Sequence, residues 1–348
     1  MATTATTTTT TTTASTSGFG GSPSTAAANN SYNAHHPRPN FYRILQGTSP
    51  TTAAAFLPGG SSDSDQLQAW SGLEAGQNAI EIASNKLGNI GGVSLAHRFG
   101  CKIWLLLLDV PEGGAEEASC AVQDLAKQQG LASQQYHTVA VRDLNQIETI
   151  LESRPSWDCA IVEAGFLTHQ STQMKRSILT LLSKHASELL IHEFCFRGEA
   201  CTSPSVAYTV QQDMARVFGM DFRPMTSDEW KSLLEDPSGT GMMALEDTRN
   251  STPNDSATTN RMVVEQMETG TVAFSNPITL VKDQGLGGLA KLAWNVATHE
   301  EIRDRVFEFA ETLEEHRQHL GYILLKATRQ PKMKHLHPTE KPNPHLLW

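Results

Sequence analysis

Asn78-Ala-Ile-Glu-Ile-Ala-Ser84, followed by Asn85-Lys-Leu-Gly-Asn-Ile-Gly-Gly92 and then Val93-Ser-Leu-Ala-His-Arg-Phe99, decides how the rest of the chain is read. An apolar run of strand length gives way to a glycine-containing turn, and the turn opens a helix predicted over 91–99. This is the strand, turn and helix of an open parallel sheet, where ligands bind beyond the carboxyl ends of the strands at the point where strand order reverses. Small Ala83 and Ser84, then Gly88, Gly91 and Gly92, let the backbone approach a ligand closely. The glycine spacing does not follow G-x-G-x-x-G, which counts against a dinucleotide cradle and hence against a nicotinamide-dependent reductase.

Working outward, strands and helices keep alternating. Strands are predicted over 102–109 (KIWLLLLD), 137–143 (HTVAVRD), 158–164 (DCAIVEA) and 188–194 (ELLIHEF), with helices over 112–129 and 173–185. Leu/Ile/Val-rich strands of this kind are buried on both faces, so the sheet is parallel and covered by helices on either side. Farther on, 262–271 reads as a strand, 300–319 as a helix with Ile302, Val306, Phe309, Leu313 and Leu320 on its core face, and 322–328 as the last strand. Residues 1–40, rich in Thr, Ala, Ser and Asn, are expected to be a disordered leader. The polar stretch 247–260 is expected to be a surface loop, and 331–348 a fraying tail. One domain is thus expected over 41–330, with a cofactor half at 75–195 and a cap and C-terminal half at 196–330.

Thirty-seven acidic against 27 basic side chains give the 348 residues a formal charge of -10, which opposes attraction to phosphate backbones or anionic lipid. No nucleic acid and no membrane are therefore expected as partners, and the longest apolar run, 103–108, is far short of the roughly 20 residues of a spanning helix. Five cysteines without a C-x-x-C pair suit a reducing, cytoplasmic setting. His35, His36, His335 and His337 lie in the terminal tails without supporting ligands, so no metal site is expected.

The chemistry gathers at the strand ends. An ionised carboxylate offers two acceptor oxygens, suited to a pair of ribose hydroxyls or an amino group. Asp109 closes the second strand, Asp143 the third, and Glu163 stands near the end of the fourth. Acids at strand ends are also common as solvated loop residues, so it is their joint placement on one rim that points to a ligand. His192 and Glu193 end the fifth strand and are the best-placed general bases, since imidazole titrates near neutrality. A histidine hydrogen-bonded under a cap fits His192 equally well. Phe166 and Trp230 are candidates for the acceptor pocket, although Trp230 within a helix also suits packing.

These residues resemble a group of class I S-adenosylmethionine-dependent methyltransferases, mostly bacterial and mostly without a known substrate. Where that group reads E-V-A-C-N, this chain has Glu81-Ile-Ala-Ser-Asn85, and its R-F-G-C is matched by Arg98-Phe-Gly-Cys101. N-E-A-x-L-T is echoed by Val162-Glu-Ala-Gly-Phe-Leu-Thr168, T-H-D by Ile191-His-Glu193, and P-L-S-x-x-x-W by Pro224-Met-Thr-Ser-Asp-Glu-Trp230. The most distinctive match is D-E-G-L-x-G-x-L-K followed by L-G-Y-I, present as Asp283-Gln-Gly-Leu-Gly-Gly-Leu-Ala-Lys291 and Leu320-Gly-Tyr-Ile323. The resemblance runs from about Phe41 to Arg329.

It implies a Rossmann-like α/β fold with a seven-stranded, mostly parallel sheet whose last strand is antiparallel. It also implies S-adenosyl-L-methionine as methyl donor and a helical cap built partly from 277–296. The donor would lie among Glu81, Ala83, Asn85, Gly88, Asp109, Asp143 and Glu163, and the acceptor is expected to be a small molecule. Three departures stand out. The turn after the first strand is about two residues longer than the group's M-G-T-T. Leu107 falls where the group's first acid would, with Asp109 two places on. Lys184-His-Ala-Ser-Glu188 replaces a G-G turn before the fifth strand. These motivate a second expectation, a methyltransferase-fold protein that has lost donor binding and serves as a binding or scaffolding module.

Overall fold

A computed structural model of the chain describes residues 60–84, 91–108, 119–120, 123–124, 126–127, 130–132, 135–163, 165–236, 262–272, 294 and 297–330. The leader over 1–40, the loop over 247–260, the tail over 331–348, most of the helix expected over 112–129 and nearly all of the expected cap at 277–296 lie outside these residues.

Helix α1 (Gly60–Trp70) leads into β1 (Asn78–Ser84), α2 (Gly91–Phe99), β2 (Lys102–Leu108) and β3 (Tyr136–Ala140). Then come α3 (Leu144–Glu152), β4 (Trp157–Val162), α4 (Thr172–His185), β5 (Ala186–Phe196), α5 (Pro204–Phe218) and α6 (Ser227–Glu235). The chain returns through β6 (Met262–Thr271) and α7 (Glu300–Glu315) to β7 (Leu320–Arg329). The seven strands form one sheet in the order β3-β2-β1-β4-β5-β7-β6. Neighbours from β3 to β5 pair in parallel, while β7 runs antiparallel to both β5 and β6. The expected fold class is thus observed, including the single antiparallel strand at the end of the chain.

Strand alternation divides the sheet's side chains between two cores. Ile80, Ile82, Leu106, Val162 and Ile191 point to one face and pack with Ile147 of α3, Leu179 of α4, Val210 of α5, Trp230 of α6 and Phe309 of α7. Ala79, Ala83, Leu105, Leu107 and Ile161 point to the other, against Leu67 of α1 and Leu95 of α2. Apolar burial on both faces is what a near-continuous Leu/Ile run such as 103–108 demands.

Several boundaries differ from those read in the sequence, each for a local reason. The third strand ends at Ala140 rather than 143, because the Asp143 carboxylate accepts the Gln146 N–H and caps α3. The fifth strand is longer than expected, because β7 pairs with it all the way from Glu188 to Phe196. Helix α7 stops at Glu315, four residues short of the expected end. Helix α1 was not anticipated, since its sequence GSSDSDQLQAW has little apolar content beyond the buried Leu67.

The junction between α4 and β5, which lacks the G-G turn, is made another way. Ala186 follows the helix directly in an extended conformation. The guanidinium of Arg329, at the far end of β7, donates to the carbonyls of Ser183 and Ala186, both at 2.8 Å. A side chain from another strand thus satisfies backbone acceptors at the helix end. Among the described residues no helix is long and apolar enough to cross a membrane.

Candidate functional site

Strand β1 lies between β2 on one side and β4 on the other, so the strand order reverses about β1, and a crevice is expected there at the carboxyl edge. The register brings the strand ends level. Ser84 pairs with Leu108, Ile82 with Val162, and Val162 with Ile191. Ala83, Glu163 and His192 each follow one of these paired residues, so they stand in one row across β1, β4 and β5. By strand alternation Glu81 lies on the same face as Ala83.

The carboxylates on this row are not on a solvated rim. Glu81 is fully buried, Glu163 is 1% exposed, and His192 and Glu193 are fully buried. Burying ionisable groups is costly, and such clusters at a sheet edge are characteristic of functional sites. The Glu81 charge is felt at Tyr136, whose hydroxyl is pushed well above its ordinary range, first by burial and then by that carboxylate. The imidazole of His192 meets the Tyr322 ring edge-on, at 6.0 Å between centroids.

Glu193 is engaged in a specific way. Its Oε1 accepts the Leu167 N–H at 2.7 Å, and its Oε2 accepts both the Thr168 N–H at 2.8 Å and the Thr168 hydroxyl at 2.7 Å. Burial raises the Glu193 carboxyl to about 7, while these hydrogen bonds and the nearby Lys175 ammonium pull the other way. The residues it holds, 165–169, form the turn that follows Glu163.

The remaining expected site residues fall in four groups. Ala83 and Ser84 are the last two residues of β1, and both side chains are buried. Asn85, Gly88 and Asp109 lie outside the described residues, although the strands that precede them end side by side at Ser84 and Leu108. Asp143, expected as a cofactor acceptor, has one carboxylate oxygen on the α3 cap, 2.9 Å from the Gln146 nitrogen. Phe166 and Trp230, expected to line an acceptor pocket, are both fully buried. The Trp230 indole N–H donates to the Phe194 carbonyl at 3.1 Å, and its ring covers the Lys175 ammonium at 5.1 Å, so Trp230 packs α6 onto the sheet rather than facing an opening.

Lys175 went unnoticed in the sequence. It stands three, four and seven residues before Ile178, Leu179 and Leu182, on the apolar face of α4, and a lysine at such a position is the signal that identifies it. His169 is 6% exposed; its Nδ1 meets the Asp221 carbonyl and its ring packs edge-on against Phe218. Leu107, at the place of the group's first acid, is a core residue paired with Ala83.

No sequence-family model and no curated protein matches the chain. Solved structures do. Phosphoethanolamine N-methyltransferase 2 of Haemonchus contortus, in complex with phosphomonomethylethanolamine and S-adenosylhomocysteine, superposes with a TM-score of 0.50 at 12% identity, covering 84% of this chain and 60% of that one. A methyltransferase of Thiobacillus denitrificans, in complex with S-adenosyl-L-homocysteine, covers 84% of this chain and 99% of its own length at 14% identity and a TM-score of 0.48. The strand order and the superposition at a TM-score of 0.50 give the chain a Rossmann-like methyltransferase fold.

Proposed function

We propose that the chain transfers a methyl group from S-adenosyl-L-methionine to a small-molecule acceptor. The observation that carries this is the row at the carboxyl edge of the sheet, where the small Ala83 stands at the switch point with the buried Glu81 and Glu163. Glu81, Ala83, Asn85, Gly88, Asp109, Asp143 and Glu163 are assigned to the donor, with the Asp109 carboxylate accepting the ribose hydroxyls. That the Haemonchus contortus enzyme of the same fold holds S-adenosylhomocysteine supports the assignment.

The donor supplies an electrophilic methyl on a sulfonium whose departure needs no proton, so the protein's task is chiefly alignment. A base is needed only for an acceptor that arrives protonated, and His192, next to Glu163 in the row, is assigned that role. The net charge of -10 favours a small molecule over nucleic acid as acceptor. Five free cysteines support a reducing, cytoplasm-like setting.

The second reading, a fold that has lost its donor, draws on Leu107, an apolar core residue where an acid would stand. Thermal unfolding with and without S-adenosylmethionine and S-adenosylhomocysteine separates the two. A ligand at about 100 times its dissociation constant adds roughly 2.7 kcal/mol of stability. An upward shift that Asp109→Ala abolishes, without unfolding the apo protein, is expected. No shift at millimolar ligand would establish the non-catalytic reading.

A further inference from the structure

We propose that Glu193 is a positioning residue: its carboxylate fixes the turn at 165–169 and so sets the wall of the site that begins at Glu163. The inference rests on the assignment of the donor to this edge. Three donors of the turn converge on one carboxylate, at 2.7 to 2.8 Å. Glu193 Oε2 already accepts two hydrogen bonds and Oε1 one, so the carboxylate is committed to the turn.

The same turn is held from its other side. The Arg223 N–H donates to the Thr168 carbonyl at 2.8 Å, and His169 Nδ1 meets the Asp221 carbonyl. Lys175 closes the arrangement: its ammonium donates to the Arg223 carbonyl while the Trp230 ring covers it. The 165–169 turn is therefore clamped between β5, through Glu193, and the 221–223 segment, which Lys175 ties to α4.

Burial is the largest influence on both charges, raising Glu193 to about 7 and lowering Lys175 to about 8, and each charge partly restores the other. A buried charged pair is a weak source of stability compared with apolar packing of the same volume. Its specific return here is geometric, since apolar side chains cannot orient two backbone N–H groups and a hydroxyl. Glu193 acts through the turn, and nothing in this role requires it to touch substrate.

Glu193→Gln tests the idea, because the amide keeps the size but sets an NH2 group against one of the turn's donors. Glu193→Gln with Lys175→Met removes the uncompensated ammonium and serves where the single variant fails to fold. Hydrogen exchange of the full-length chain is followed in the peptide 165–171, with 78–84 and 144–152 as internal controls, and S-adenosylhomocysteine binding is measured by calorimetry. Loss of hydrogen bonds to a charged group predicts exchange about tenfold faster or more at 165–171 alone, and S-adenosylhomocysteine affinity weaker by about tenfold. Exchange and affinity both within about twofold of the parent chain, less than the loss of one such bond would produce, overturn the proposal. If the parent chain binds no S-adenosylhomocysteine, the donor assignment fails, and exchange at 165–171 alone decides for or against the clamp.

Discussion

At the scale of single residues, the turn after β4 combines a left-handed glycine with a buried carboxylate. Gly165 has φ 72°, and a Cβ there would lie 2.8 Å from the Phe194 ring. Gly165→Ala therefore meets both an unfavourable backbone conformation and a fixed aromatic neighbour, and is expected to cost about 2 kcal/mol or more in urea unfolding. His169 gives a pH signature. Burial lowers its pKa from 6.5 to about 4, so between these values the unfolded chain binds a proton that the native chain refuses. Stability from this group falls as pH drops through that window, by on the order of 3 kcal/mol. Glu193 has the opposite sign: its raised pKa means that the native state binds the extra proton between 4.5 and about 7, so its contribution falls as pH rises. Comparing the chain with His169→Gln at pH 7 and pH 4.5 isolates the histidine, and an equal loss in both proteins would refute its assignment. Neither residue's environment was legible in the sequence, where Gly165 and His169 look like ordinary loop positions; their partners Phe194 and Asp221 come from far along the chain.

At the scale of elements, what was local was legible and what was shared was not. β1, α2 and β6 occupy the residues their patterns predicted, because alternation and helical spacing are properties of neighbouring residues. The capping box of α6 is likewise local: Thr226 accepts the Glu229 N–H while Glu229 reaches back to the Thr226 N–H. Thr226→Ala is expected to cost about 1 kcal/mol, measurable as a lower thermal midpoint. The α4 to β5 junction is different, since its acceptors are satisfied by Arg329, more than 140 residues later. Arg329→Ala is expected to cost about 2 to 3 kcal/mol and to speed hydrogen exchange around 183–187. An unchanged exchange pattern there would mean that the junction holds itself.

Across the whole molecule, an aromatic cluster joins the sheet to two helices. Phe218 of α5 contacts Phe194 of β5, Phe222 and Phe309 of α7, with ring centroids 5.2 to 5.9 Å apart. Phe218→Ala is expected to cost about 3 to 5 kcal/mol. Its effect should not add to that of Phe309→Ala, because the two side chains share one contact, and a double-mutant cycle in urea measures the coupling. The sequence by itself determined the alternation of strands and helices and the switch point at β1, because periodicity is written in adjacent residues. Only the tertiary structure decided that Trp230 packs rather than lines a pocket and that Glu193 is engaged by the 165–169 turn. Those roles depend on which distant donors and rings meet each side chain, and burial then fixes whether it can still act on anything else.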